Sequence, residues 1–509
     1  MPTYYDKLLV THQGALRRKY GTDGAADVRA ALDALIEADE ARGLLSRVLL
    51  LDNTQSMKAI KAAKVADGDW VATLKAVDLA VTRYQPSYLV LVGATDVVPQ
   101  SQVRNPIANR GMDSDPYIPS DLPFACDLPD DWAGPQSGRL EAADLMSVTR
   151  VVGRIPDLVG ADDPAMMLSA IGTATSYTQR AATAYQKVFS LSAAVWKGST
   201  VMSVDLLPGP TPTTHLSPPA RSTWTKTQLA SLTHFVNCHG GDTTPDWFGQ
   251  AAGGRVDTVA LTPEDIDGRI ARGTIVAAEC CYGAMHMDPA NLGGRIPLMW
   301  AYLRSGGYAC IGSSTTAYGP ADGMGLADLV CRYAVEGMMA GASSGRALLD
   351  ARQRFIRETG SMTPIDLKTL AQFDLLGDPS LVPVRIPGTA PAPKAFGAAA
   401  PGDGKALPSG MTLSQRRKIL AATGRALGAS VPRAGRRKPS RVAAADLAAE
   451  AGLRAGQVSG SVTSFGEHGQ APRAGITYHV LPVQAGGRDG FVVSREAEGY
   501  RQTRAVWQK

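Results

Sequence analysis

Short apolar runs separated by amphipathic stretches dominate the chain as far as about residue 385. In GAADVRAALDALIEADEARG, Val28, Leu32, Leu35 and Ile36 fall on one face at helical spacing, and Gly43 supplies a C-terminal stop. RVLLLDN follows at Arg47–Asn53, then a helical stretch over 70–84, then YLVLVGATD from Tyr88. Runs that are apolar on both faces and alternate with amphipathic helices predict an α/β fold with a mainly parallel sheet, covered by helices on both sides.

After a loop region rich in Pro and Asp over 104–138 the pattern resumes, with strands expected near SVTRVVGR, STVMSVDLL, LTHFVNCHGG, GTIVAAECC and GGYACIGSS. The pattern predicts two sheet-bearing halves, an N-terminal subdomain over 1–150 and a second over 151–385. Open parallel sheets bind ligands at the carboxyl ends of their strands, so NCHGG and ECCYG, both at strand exits, are expected at one edge. The composition changes at Pro387, where PGTAPAPKAFGAAAPGDGKALPSG reads as a Pro/Ala/Gly linker over 386–412. Residues 413–509 read as a basic C-terminal module that opens with the helical piece LSQRRKILAATGRALG and closes with strand-like runs around a Gly-Gly turn.

A chain of 509 residues, 44% hydrophobic and 19% charged, suits a folded protein of more than one domain. The start, MPTYYDKLLVTHQGALRRKYG, has no apolar signal core, and no apolar run is long enough to cross a bilayer, so the expectation is a cytosolic protein with no membrane partner. Six cysteines (Cys126, Cys238, Cys280, Cys281, Cys310, Cys331) are too few and too scattered for a disulfide framework and suit a reducing compartment. The net charge of +5 is concentrated, because no Asp or Glu occurs between Gly404 and Ala445 while Arg and Lys are frequent there. Neither a P-loop nor a Gly-x-Gly-x-x-Gly fingerprint follows an early strand, so nothing supports nucleotide binding.

A cysteine nucleophile needs a thiolate or a base that takes its proton, and histidine is the usual partner. His239 ends one apolar strand and is followed by Gly240 and Gly241, while Cys280 and Cys281 end another and are followed by Gly283. Glycine at such exits lets the backbone turn sharply and leaves room for a substrate chain. The plainer readings are a solvated strand-end histidine and cysteines that pack inside, and matched exits on one sheet weigh against both. Zinc on Cys238, His239, Cys280 and Cys281 is disfavoured, because strand neighbours point to opposite faces and the usual ligand spacing is absent. By the same alternation only one of Cys280 and Cys281 faces the site.

The order His-Gly, apolar strand, small residue, Cys and Gly resembles the caspase-like clan of cysteine peptidases, and other stretches resemble its gingipain-type branch. YLVLVGATDVVP looks like that branch's strand before a Gly-Asp-Pro loop. VVGRIPD at 151–157 looks like its Gly-Arg-Ile/Leu-Pro signature, and FDLLGDPSL at 373–381 like the Leu-x-Gly-Asp-Pro that closes its catalytic domain. The resemblance covers about residues 10–385 and implies a caspase/gingipain-like α/β fold and an endopeptidase with His239 as the catalytic histidine. The clan commonly has a small residue before its cysteine, which makes Cys281 the nucleophile; an alignment on Cys-x-x-Gly selects Cys280, preceded by Glu279. The N–H groups of Gly240 and of Cys281 are the implied oxyanion donors.

IPSDLPFACD resembles the segment that supplies a specificity carboxylate in Arg-cleaving members, which points to Asp121 and to selection of Arg or Lys through charge-assisted hydrogen bonds. Asp in a Pro-rich loop is otherwise a turn former. Asp242 is a second candidate carboxylate for substrate binding, and Trp247 a candidate apolar wall. The resemblance requires no cofactor and adds calcium, which some relatives bind, as an optional ion.

Arg416, Arg417, Lys418, Arg425, Arg433, Arg436, Arg437, Lys438 and Arg441 follow the linker. They read as solvated charge, as a surface for nucleic acid or an acidic partner, or as a self-cleavage or inhibitory segment in cis. The expected role is a cytosolic regulatory protease acting on protein or peptide substrates and switched by an activating protein partner or by processing. A caspase-like scaffold without activity and a nucleic-acid-binding protein are the alternatives.

Overall fold

The computed structural model describes residues 4–108, 113–127, 140–219 and 224–385, then 444–450, 453, 457–458, 462–466, 477–485, 488–497 and 500–507. The linker over 386–412 and the basic residues from Arg416 to Arg441 lie outside the described residues. The chain forms two compact units, Met1–Ile386 and Pro387–Lys509.

The first unit is built on one ten-stranded sheet. Its strands are β1 (Lys7–Thr11), β2 (Ser46–Leu50), β3 (Tyr88–Val92), β4 (Val152–Ile155), β5 (Val188–Ala193), β6 (Thr214–Ser217) and β7 (Thr233–Asn237). A hairpin outside this sheet, β8 (Trp247–Gln250) and β9 (Val256–Leu261), precedes β10 (Ile275–Ala278), β11 (Ala309–Ser313) and β12 (Phe373–Leu376). The spatial order is β6-β5-β7-β10-β11-β12-β4-β3-β1-β2. Every neighbouring pair is parallel except β11 with β12. The sheet is therefore two parallel blocks of opposite direction, joined at one antiparallel seam. β4 pairs with β3 on one side and β12 on the other, so the boundary expected at residue 150 falls inside this sheet.

The central strands are buried end to end, as their unbroken apolar runs predict: every residue of β7, β10 and β11 is buried. Burying a side chain such as Ile275 or Val276 stabilises the fold by about 1.5–3 kcal/mol. Helices cover the sheet. In α1 (Gln13–Ala41) the His12 side chain accepts a bond from the Ala15 N–H, the axis bends at Gly21 (φ 71°), and Val28, Leu32 and Leu35 face the core. In α2 (Trp70–Tyr84) Asp69 caps the Ala72 N–H.

STVMSVDLL, expected as a strand, is instead helix α3 (Lys197–Asp205), with Ser199, Thr200, Ser203 and Val204 on its buried face. Its β-branched residues give the run a strand-like look, but the buried positions recur at helical spacing. The strand of this region is β5, one element earlier. Further on, α4 (Ala327–Met339) and α5 (Pro364–Gln372) lead towards β12. Among the described residues no helix is long and apolar enough to cross a membrane.

The second unit contains a four-stranded antiparallel sheet of β13 (Thr463–Gly466), β14 (Thr477–Ala485), β15 (Arg488–Ala497) and β16 (Tyr500–Trp507). Leu447 and Ala448 of α6 (Ala444–Glu450) join Leu481, Val483 and Val492 in its core.

Candidate active site

Parallel neighbours β7 and β10 pair with Val236 opposite Ala278, and the Glu279 N–H donates to the Val236 carbonyl 2.8 Å away, which carries the ladder past the strand end. Continued past the strand ends, the same register would set Cys238 against Cys280 and His239 against Cys281. Cys238 and Cys280 are 1% and 0% exposed and share an apolar cluster with Trp247 and Trp300. Side chains alternate along a strand, so the next residue of each pair faces the opposite way, and His239 and Cys281 are both partly exposed. A Cβ on Gly240 would stand 2.0 Å from the Cys281 carbonyl oxygen, so these two exits close on each other only because residue 240 is glycine.

Three backbone N–H groups surround the Cys281 thiol. Ala317 N lies 3.3 Å from Sγ, and the N–H groups of Gly240 and of Cys281 itself also reach it. Burial raises the thiol pKa above its usual value; the Ala317 N–H, the Lys368 charge and then the other two N–H groups work against that rise. The balance keeps a thiol at rest, beside donors aimed at the region where negative charge would develop. Burial pushes the Cys280 thiol well up, with only the Cys238 backbone as hydrogen-bond relief.

His239 is held on two sides. Its backbone exchanges two hydrogen bonds of 2.8 Å with Phe248 of β8. Its Nε2 lies 2.8 Å from Gln250 Oε1, and the Trp196 ring packs against it with centroids 4.2 Å apart. Burial lowers the His239 pKa, and the Gln250 bond only partly offsets it. A neutral imidazole is the kind of group that can take a thiol's proton and return it to a leaving group.

Tyr282, directly after Cys281, has φ 58°, a conformation rare for a bulky residue. Its N–H donates to the Thr315 carbonyl at 3.0 Å, and its hydroxyl donates to Asp115, 3.0 Å from Oδ1 and 3.2 Å from Oδ2. Asp115 Oδ2 also accepts from the Thr316 N–H and hydroxyl, each at 3.1 Å. One carboxylate thus ties the Cys281 turn to the loop that supplies the Ala317 N–H. Behind it the buried Lys368 of α5 pairs with Asp113 and lies 3.8 Å from Asp115.

Asp121 does not open onto this site. It is 4% exposed, and its oxygens accept from Arg154 Nε at 2.8 Å and Nη2 at 2.6 Å. A fully buried guanidinium needs such a partner, and the pairing leaves no carboxylate edge for a substrate. Trp247 is 3% exposed and packs with Cys280; a Cβ on Gly283 would lie 3.6 Å from its ring. It therefore braces the turn from beneath. Asp242 is exposed, two residues past Gly240, and its charge helps burial raise the Tyr282 pKa. Sequence reasoning missed Gln250, Trp196, Ala317 and Asp115. Each is brought in by tertiary pairing, and only Tyr282, wedged between a cysteine and a glycine, carried a local signal.

All six cysteines are free. Among the described residues no group of three or more His, Cys, Asp or Glu is arranged to hold a metal ion, so no calcium ligands are assigned. The family model described as peptidase family C25 matches residues 3–384. No curated protein matches the chain.

Proposed function

The chain belongs to peptidase family C25, the gingipain family, and is a cysteine peptidase that hydrolyses peptide bonds; from that premise we propose that Cys281 is its nucleophile and His239 the proton-transferring partner. One observation carries the choice of Cys281 over Cys280. Cys281 is partly exposed and has the N–H groups of Ala317 and Gly240 around its sulfur, whereas Cys280 is 0% exposed among apolar side chains.

In the proposed acylation the thiol proton passes to the imidazole, sulfur bonds the scissile carbonyl carbon, and the carbon–nitrogen bond breaks as the leaving amine takes the proton. Water then attacks the thioester and gives its proton to the imidazole. The carbon–sulfur bond breaks and the proton returns to sulfur, leaving the carboxylic acid product. The N–H groups of Gly240 and Cys281 are the proposed oxyanion donors, supported by their place around Sγ.

For a preference for Arg or Lys, the candidate carboxylate is Asp242, since Asp121 is engaged by Arg154. The Arg-rich segment at 416–441 is then a candidate substrate in cis, which makes self-processing part of the proposal. Six free thiols suit a cytosolic protease, and cell fractionation tests that assignment.

The deciding experiment compares wild type, Cys280→Ala, Cys281→Ala and His239→Ala on peptides varied at the residue before the scissile bond, with and without calcium. Mass spectrometry reads both the peptides and the protein's own termini. The expected outcome is cleavage after Arg or Lys that is lost in Cys281→Ala and His239→Ala and kept within a few-fold in Cys280→Ala. Loss confined to Cys280→Ala would reverse the assignment.

A further inference from the structure

We infer that Gln250 is a positioning residue that fixes the tautomer of His239, so that Nδ1 is the atom that takes and returns the reaction's proton. The inference rests on the reading that His239 and Cys281 act together.

The argument starts from a group with no choice. The Gly254 carbonyl can only accept a hydrogen bond, and Gln250 Nε2 lies 2.9 Å from it, so the amide nitrogen points there. The amide oxygen then points the other way, 2.8 Å from His239 Nε2, and it too can only accept. Nε2 must therefore carry a hydrogen. A neutral imidazole has one such hydrogen, so Nδ1 holds the lone pair. When the ring is protonated, the second hydrogen sits on Nδ1 and the Gln250 bond is unchanged.

The support for this relay is rigid. Gln250 closes β8, and the turn beyond it is fixed by the Gly254 N–H donating to the Ala251 carbonyl at 2.9 Å. β8 is in turn bonded through Phe248 to the His239 backbone, so donor and acceptor ride on one small frame. Trp196, from the turn after β5, covers the ring at 4.2 Å and limits its rotation. Trp196 and Gln250 touch the ring, and neither side chain carries a charge. A neutral amide orients the ring without stabilising the imidazolium, so burial goes largely unopposed. The ring stays an acceptor for the thiol proton down to pH values below those of free imidazole.

The test uses the full chain and two substitutions. Gln250→Leu removes the acceptor and should lower kcat at least about tenfold while KM stays within about twofold. Gln250→Glu keeps the acceptor but adds a charge that favours the imidazolium, so the acid limb of kcat/KM, which follows His239 in a thiol–imidazole pair, moves to higher pH. An unmoved acid limb in Gln250→Glu together with wild-type turnover in Gln250→Leu overturns the inference.

A second measurement needs no turnover. Nitrogen-15 spectra of the Cys281→Ala protein, with the His239 ring assigned by its loss in a Cys281→Ala, His239→Gln protein, read the tautomer directly. A hydrogen on Nε2 supports the inference, and a hydrogen on Nδ1 of the neutral ring overturns it. Failure of the peptidase reading shows separately, as a wild type that cleaves nothing with or without calcium, while the spectrum still decides the tautomer.

Discussion

At the scale of single residues, the closest constraint in the site is an absent side chain. Gly240 has room for a hydrogen and nothing more against the Cys281 carbonyl. Gly240→Ala must push the two strand exits apart, with an expected stability loss of about 1–3 kcal/mol from overpacking. The activity loss should be larger, on the order of a hundredfold, because the displaced atoms include the Gly240 N–H and the Cys281 backbone of the proposed site. Thermal melting and steady-state kinetics on the same preparation separate the two effects. His239, Gly240 and Cys281 could be picked out in the sequence as candidates because each is chemically distinctive and stands at the end of an apolar run. Asp121 could not be judged that way. Its fate depends on Arg154, a residue 33 positions away that reads locally as part of a strand and proves to be a buried cation in need of an anion.

At the scale of elements, the junction of β10 with α4 carries a second consequence of burial. Glu279 at the end of β10 and Asp328 in the first turn of α4 hydrogen-bond to each other, and they are 6% and 0% exposed. Burial, then the neighbouring Asp328, raises Glu279 well above the ordinary carboxyl value, and burial raises Asp328. Burial and the neighbouring carboxyl thus favour the protonated form in the folded chain. An acid whose pKa is raised by folding adds stability that is fully present below its unfolded value and is lost as pH rises through the folded one. The melting temperature should therefore fall as pH rises above the ordinary carboxyl range. Glu279→Gln, whose amide donates to Asp328 without a titrating proton, should flatten that slope. A calorimetric pH series with equal slopes for the two proteins would remove the pair from the explanation. The sequence showed the existence and type of most elements here, since unbroken apolar runs and capped amphipathic helices are local properties. It misassigned 199–207, where β-branched residues lie on a helix whose packing overrides their preference, and it gave no hint of which strands pair across the seam.

At the scale of the whole molecule, the two compact units meet in sequence at 386 and 387, and every residue placed in the active site lies before that point. A chain ending at Ile386 is expected to fold and to cleave peptides with kcat/KM within about threefold of the full chain once any action of the Arg-rich segment is removed. A tenfold or greater loss would give the C-terminal unit a part in catalysis. Within the first unit, β12 comes last in sequence among the ten strands yet sits at the seam, between β11 and β4. Until residues 373–376 are in place the sheet is two unconnected pieces, and the helix before them carries Lys368, which backs the Asp113 and Asp115 clamp. A ribosome making this protein thus exposes the histidine and the cysteine more than ninety residues before the strand that joins the two pieces. The nascent chain is therefore expected to lack peptidase activity until residues 364–376 are in place, and assays on chains ending before and after that stretch would check it.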